Sequence, residues 1–197
     1  MCKSFVYALA ALLVCAAQSY AVTAMQAVEI ARRQANTYAA KSLVQVVGKP
    51  SAVGQLPEEW QVLFYDPAAE QDGMLITVSG NAVTSIRDGY TQLDNFRIFA
   101  YKMEEIIDPA KFKVDSSRIL PLLQTGSSLK AVKITSVGLW LKKEKKGPLE
   151  PPVWFVDLYA ANPKGDREVQ FGTAKVDAES GKVLKLDLNL KAIGKDQ

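Results

Sequence analysis

Trp154-Phe-Val-Asp-Leu-Tyr159 sets Trp154, Val156 and Leu158 on one side of an extended chain and Phe155, Asp157 and Tyr159 on the other. A period of two is the pattern of a strand with one face turned to a core. The same shape stands earlier as Trp60-Gln-Val-Leu-Phe-Tyr65, with Trp60, Val62 and Phe64 in phase. Each stretch leads to a second extended run and a tight turn. Met74 to Ser79 ends at Ser79-Gly80-Asn81 and returns through Ala82 to Ile86, closed by Asp88-Gly89. Ala174 to Leu184 echoes Leu75 to Val83, with Ser180-Gly181 in the place of Ser79-Gly80. Glycine at both turns supplies the positive φ that such hairpins need. The second hairpin is the longer, and the extra residues are expected in the turn Asn162-Pro-Lys-Gly-Asp166, where insertions cost little.

Upstream of each hairpin lies a helix start. Thr23-Ala-Met-Gln26 has the form of a capping box, and Val28, Ala31, Ala35 and Tyr38 recur at helical spacing, predicting an amphipathic helix to about Ala40. Asp115-Ser-Ser-Arg-Ile119 stands in the same relation to the second hairpin, and Ile119, Leu120, Leu122 and Leu123 match Ala27, Val28, Ile30 and Ala31 at one constant offset. Pro121 lacks a backbone donor and Gly126 stops the pattern, so this helix should be short or distorted. Leu43 to Val47 reads either as a strand or as the irregular end of the first helix, and Lys130 to Leu141 as a long strand. The fold class is therefore α+β, as two tandem helix-plus-antiparallel-sheet units. Residues 22–88 make the first and 109–190 the second, joined by a linker over 89–108 in which Phe96 to Tyr101 has the character of an edge strand, with 191–197 as a tail.

The chain opens with a different kind of segment. Met1 to Ala21 has Lys3 as its sole charge, an apolar run from Phe5 to Ala17, and small residues at Ser19 and Ala21, which describes a secretory signal peptide cleaved between Ala21 and Val22. The run is shorter than the ~20 residues of a membrane span, so no spanning helix is expected. Leu12-Leu-Val-Cys15 leaves open a lipoprotein signal with an anchor at Cys15. Both cysteines, Cys2 and Cys15, fall in this segment, and the sequence contains no His. The expected mature chain is periplasmic or secreted, forms no disulfide, and is without imidazole or thiolate chemistry for metals or nucleophilic attack. No cofactor and no metal are expected. The net charge of +3 is small and its basic residues are dispersed, which disfavours nucleic acid as a partner.

These residues resemble the PepSY and PepSY-like domains. The helix starts Thr23 to Ala31 and Lys113 to Leu120 look like that family's, as do the strand Trp154 to Leu158 and the closing hairpin Val176-Asp-Ala-Glu-Ser-Gly-Lys-Val-Leu184. The second copy is the better match, because the first has Val78-Ser-Gly-Asn81 in place of the turn aspartate. The resemblance implies a cystatin-like, secreted bacterial protein that binds proteins or peptides or modulates a peptidase. It implies no catalytic residue. The same residues have an architectural reading, in which Asp177, Ser180 and Gly181 build a turn, Trp154 fills a core and Asp115 caps a helix.

Other constellations carry weaker signals. Ser127-Ser-Leu-Lys130 has the Ser-x-x-Lys form of a lysine-activated serine but no Lys-Thr-Gly or Ser-Asp-Asn companion. Glu104, Glu105, Asp108, Asp157, Asp177 and Glu179 offer carboxylates without the spacing of a calcium loop. A small secreted hydrolase using Ser127 and Lys130, or a carboxylate pair, is the alternative from the enzyme class, and an envelope assembly factor is a third reading. Lys142-Lys-Glu-Lys-Lys146 reads as a solvated hairpin loop. The preferred contact surface is Phe155, Asp157 and Tyr159, an acid flanked by aromatics on a sheet face, although pairing of that acid with Lys or Arg is the commoner outcome.

Overall fold

The structure is a computed structural model that describes residues 21–92, 99–125, 128–144, 147 and 149–194. Residues 1–20, which hold the expected signal peptide with Cys2 and Cys15, lie outside the described residues, as do 93–98 of the linker, Gly126 and Ser127, Lys145 and Lys146 of the lysine-rich loop, Pro148 and the last three residues.

The first helix, α1, runs Ala24–Arg32 and begins with the capping box: Gln26 N–H donates to Thr23 Oγ1 at 3.4 Å and Thr23 N–H to Gln26 Oε1 at 2.9 Å. It ends well short of Ala40. Asn36 Oδ1 accepts from the amides of Tyr38 and Ala39 at 3.0 and 2.8 Å, and its amide group donates to Asp66 at 2.5 Å. An Asn that satisfies local amides in this way competes with the helix and diverts the chain. A 3₁₀ turn over Ala39–Lys41 then delivers the chain to β1, Leu43–Ala52, which settles the ambiguous stretch as a strand. β2 (Glu59–Tyr65), β3 (Gly73–Ser79) and β4 (Ala82–Asp88) follow as a meander.

In the second half a 3₁₀ turn, Ser116–Arg118, leads into α2, Ile119–Gln124, the short helix that Pro121 predicts. The strand expected from Lys130 starts later. Leu129 and Val132 are both buried at a spacing of three, and Val132 N–H closes a turn on Leu129 O at 3.0 Å, so β5 spans Ile134–Lys143. β6 (Pro152–Ala161), β7 (Glu168–Asp177) and β8 (Val183–Leu188) complete the order. The extra length of this hairpin lies in its strands, not in the Asn162 turn. β6 and β7 have 10 residues each where β2 and β3 have 7.

The eight strands of the described residues belong to one antiparallel sheet in the order β4-β3-β2-β1-β5-β6-β7-β8. The expected two sheets are thus continuous, joined where β1 and β5 pair with Val46 opposite Leu141 and Val47 opposite Trp140. Both helices pack on one face. There Trp60, Phe64, Trp154 and Phe171 are almost wholly buried, and the two indoles are anchored alike: Trp60 Nε1 donates to Val22 O at 2.8 Å and Trp154 Nε1 to Val114 O at 2.7 Å.

The two halves differ on the opposite face. After β4 the chain doubles back over its own half. Thr91 donates to Gln45 Oε1 at 2.6 Å, and Gln92 N–H to Gln61 Oε1 at 2.8 Å. Tyr101, 2% exposed, packs with Val44, Leu63 and Leu75 and sets its ring edge-on to Tyr90. The edge strand expected at Phe96 to Tyr101 is absent over 99–101, which carries this cover instead; 96–98 lie outside the described residues. Nothing comparable crosses the second half among the described residues.

Candidate functional site

The uncovered face of the second half is built by strand alternation. β5 and β6 pair with Trp140 opposite Phe155 and Gly138 opposite Asp157, and β7 adds Lys175 opposite Phe155 and Thr173 opposite Asp157. Trp154, Val156 and Leu158 take the buried side, as their alternation predicts, leaving Phe155, Asp157 and Tyr159 half-buried on the other. The structure therefore brings the three predicted contact residues onto one face.

It also adds residues that sequence reading missed. The Trp140 and Phe155 rings stack with centroids 5.8 Å apart and planes 5° from parallel. Lys142 Nζ lies 5.7 Å and Lys175 Nζ 5.3 Å from the Phe155 centroid, within the range where a cation is drawn to an aromatic face. Lys175 also pairs with Glu144, and Lys185 with Asp187 at 2.6 Å. Trp140, Phe155, Asp157, Thr173, Lys175 and Asp187 surround a hollow of about 200 Å³. Alternation along β5 places Trp140 on a face of its strand, but only the β5–β6 register shows that it shares that face with Phe155.

Asp157 has no cationic partner among the described residues. Its Oδ1 accepts from Gln170 Nε2 at 2.6 Å, an amide in place of the Lys or Arg that would ordinarily be expected. Burial raises its carboxyl above the ordinary aspartate value. Burial likewise raises the Tyr159 hydroxyl, helped by the charges of Asp157 and Glu168. Glu168 goes the other way, because Ser136 donates a hydrogen bond to its carboxylate. The face thus holds an acid whose ionised form is poorly solvated beside an aromatic platform.

No family model, curated protein or solved structure matches this chain. The chemistry of the face is accordingly read from its geometry alone. Most residues of the rival constellations are placed away from it. Ser127 lies outside the described residues and Lys130 is exposed on the 3₁₀ turn Ser128–Ala131. Glu105 caps Lys102 N–H at 2.9 Å, Asp108 caps Ala110 N–H at 2.9 Å, and Glu179 pairs with Lys113 at 2.8 Å. Asp177 accepts from the amides of Glu179 and Ser180 at 2.9 and 2.7 Å and so builds the turn that Gly181, at φ 78°, completes. Among the described residues no group of three acidic, His or Cys side chains is placed to hold a metal, and no helix is long and apolar enough to cross a membrane.

The raised carboxyl has a measurable consequence for stability. The native state keeps the Asp157 proton to a higher pH than the unfolded chain does, so across that interval it binds more protons and stability falls as pH rises. Above the native value the cost of burying the charge persists in full. Asp157→Asn is expected to flatten this slope and raise the urea midpoint at neutral pH. Urea titrations from acidic to neutral pH measure it; an unchanged slope would mean that Asp157 is as well solvated in the fold as outside it.

Proposed function

We propose that this chain is an exported, non-enzymatic PepSY-like protein of the bacterial envelope, periplasmic or secreted after cleavage at Ala21, which binds a protein or peptide partner and through it modulates a peptidase. The tandem organisation is supported by the repeated order of helix and four-strand meander. It is supported further by the twin anchors, in which each indole donates to the carbonyl just ahead of a helix cap, Val22 before Thr23 and Val114 before Asp115.

One observation carries the binding role. The first half of the sheet's outer face is covered by the chain's own linker, whereas the second half leaves open the Trp140–Phe155 stack and Asp157, which has no cationic partner among the described residues. Aromatic side chains with a few polar groups on a rigid sheet are the usual material of a recognition surface. Selection of peptides from a random library on the mature chain tests the role. The peptides obtained are expected to bind Phe155→Ala and Asp157→Arg at least about tenfold more weakly, a loss of ~1.4 kcal/mol, with circular dichroism unchanged. Peptides that bind both variants as tightly as the parent would remove this face from the role.

A further inference from the structure

A second recess lies on the helical side of the sheet, where the two halves meet. It is a cleft of about 390 Å³ between α2 and the turn that follows β1, with Val137 and Leu139 of β5 as its floor. Leu120 and Pro121 form one wall, Ala52 and Leu56 the other. The walls are held by the fold itself. Gln55 N–H bonds Ala52 O at 3.0 Å, Ser51 Oγ donates to Gln55 O at 3.2 Å, and Gly54 takes the left-handed conformation at φ 83° that lets the turn close. At the base Ser116, 4% exposed, is fixed by accepting from Ala24 N–H at 3.0 Å and donating to Asp115 Oδ1 at 3.3 Å.

No residue lining this cleft carries a charge. Its polar groups are the hydroxyls of Ser51 and Ser117 and the amides of Gln55 and Gln124, besides the fixed Ser116. The volume falls in the range of about 300–1,000 Å³ typical of small-molecule sites, which are mostly apolar with a few orienting polar groups. A charged ligand would lose hydration here and gain no counter-ion, whereas an apolar body gains ~25 cal/mol for each Å² it buries. We infer that the cleft binds an uncharged amphiphile, its hydrocarbon body against Leu56, Leu120, Val137 and Leu139 and its single hydrogen-bonding head among Gln55, Ser117 and Gln124. The sheet-face role does not depend on this site, which lies on the other side of the sheet.

Two dyes with the same aromatic body isolate the part played by charge: uncharged N-phenyl-1-naphthylamine and its sulfonated relative 8-anilino-1-naphthalenesulfonate. Titrated into the mature chain, the uncharged dye is expected to bind at one saturable site with enhanced fluorescence, and the sulfonate at least about tenfold more weakly, ~1.4 kcal/mol. Ser117→Trp and Gln124→Trp, both at the rim, should each plug the cleft and weaken the uncharged dye by a similar factor, while Asp157→Arg on the opposite face leaves it unchanged. Absence of binding, or equal binding to both rim variants and the parent, overturns the site. Equal affinity for the two dyes overturns the assignment of an uncharged ligand. Loss of binding in Asp157→Arg would place the dye on the sheet face and overturn the cleft as its site.

Discussion

Replacing Trp154 by alanine is expected to cost about 4 kcal/mol of unfolding free energy, within the usual range for deleting a buried Trp. The side chain is wholly buried in the centre of the second half, with the Phe112 ring edge-on at 5.9 Å. Its indole N–H is the donor to Val114 O at 2.7 Å, and the amides of Lys113 and Val114 both bond to Ala178 O at 2.9 and 2.8 Å. The indole therefore ties the segment ahead of α2 to β6 and fills the space beneath it, while the two backbone amides tie the same segment to the residue that follows β7. Trp154→Ala opens a cavity and also leaves the Val114 carbonyl without its partner, an additional ~1 kcal/mol. Trp154→Phe keeps most of the ring and loses only the donor, so about 1–2 kcal/mol is expected, and Trp60→Phe should behave alike because its bond to Val22 O has the same geometry. Urea unfolding followed by far-UV circular dichroism reads all three. A Trp154→Ala loss below ~1 kcal/mol would mean that neither packing nor the anchor matters as described.

What the sequence made legible is what is decided locally. The capping box at Thr23, the shortened helix at Pro121, the Trp60 and Trp154 strands and the glycine turns at Gly80 and Gly181 each depend on residues a few positions apart, and each is found where expected. Failures arise where a distant residue decides. Asn36 ends α1 early with the help of Asp66, and Leu43 to Val47, buried throughout, shows no alternation from which to name it. The joining of the sheet at β1 and β5 depends on long-range register. At the candidate site the same division holds. Phe155, Asp157 and Tyr159 follow from a period of two, but the stacking of Trp140, the amide partner of Asp157 and the one-sided cover from Tyr101 depend on which strands become neighbours.

The junction of the halves predicts the second large effect. Four amides open α1, and an isolated helix leaves such donors to water. Here Gln26 N–H meets Thr23 Oγ1 and Thr23 N–H meets Gln26 Oε1, which are local, whereas Ala24 N–H donates to Ser116 Oγ and Met25 N–H to Asp115 Oδ1 at 3.1 Å. Asp115 Oδ1 also accepts from its own neighbour's amide, Ser116 N–H, at 2.7 Å. One carboxylate thus caps the start of the second half's helical segment and completes the cap of the first helix, where the positive ends of two helix dipoles favour a negative charge. Asp115→Ala strands two amide donors together, so a cost of about 2–3 kcal/mol is expected, above the ~1 kcal/mol of an ordinary cap. Asp115→Asn keeps an accepting oxygen without the charge and should fall between. Because Ser116 belongs to the same network, Asp115→Ala and Ser116→Ala should be non-additive, with a coupling of at least ~0.5 kcal/mol in a double-mutant cycle. Additive costs would show that the two caps act separately and that this junction does not couple the halves.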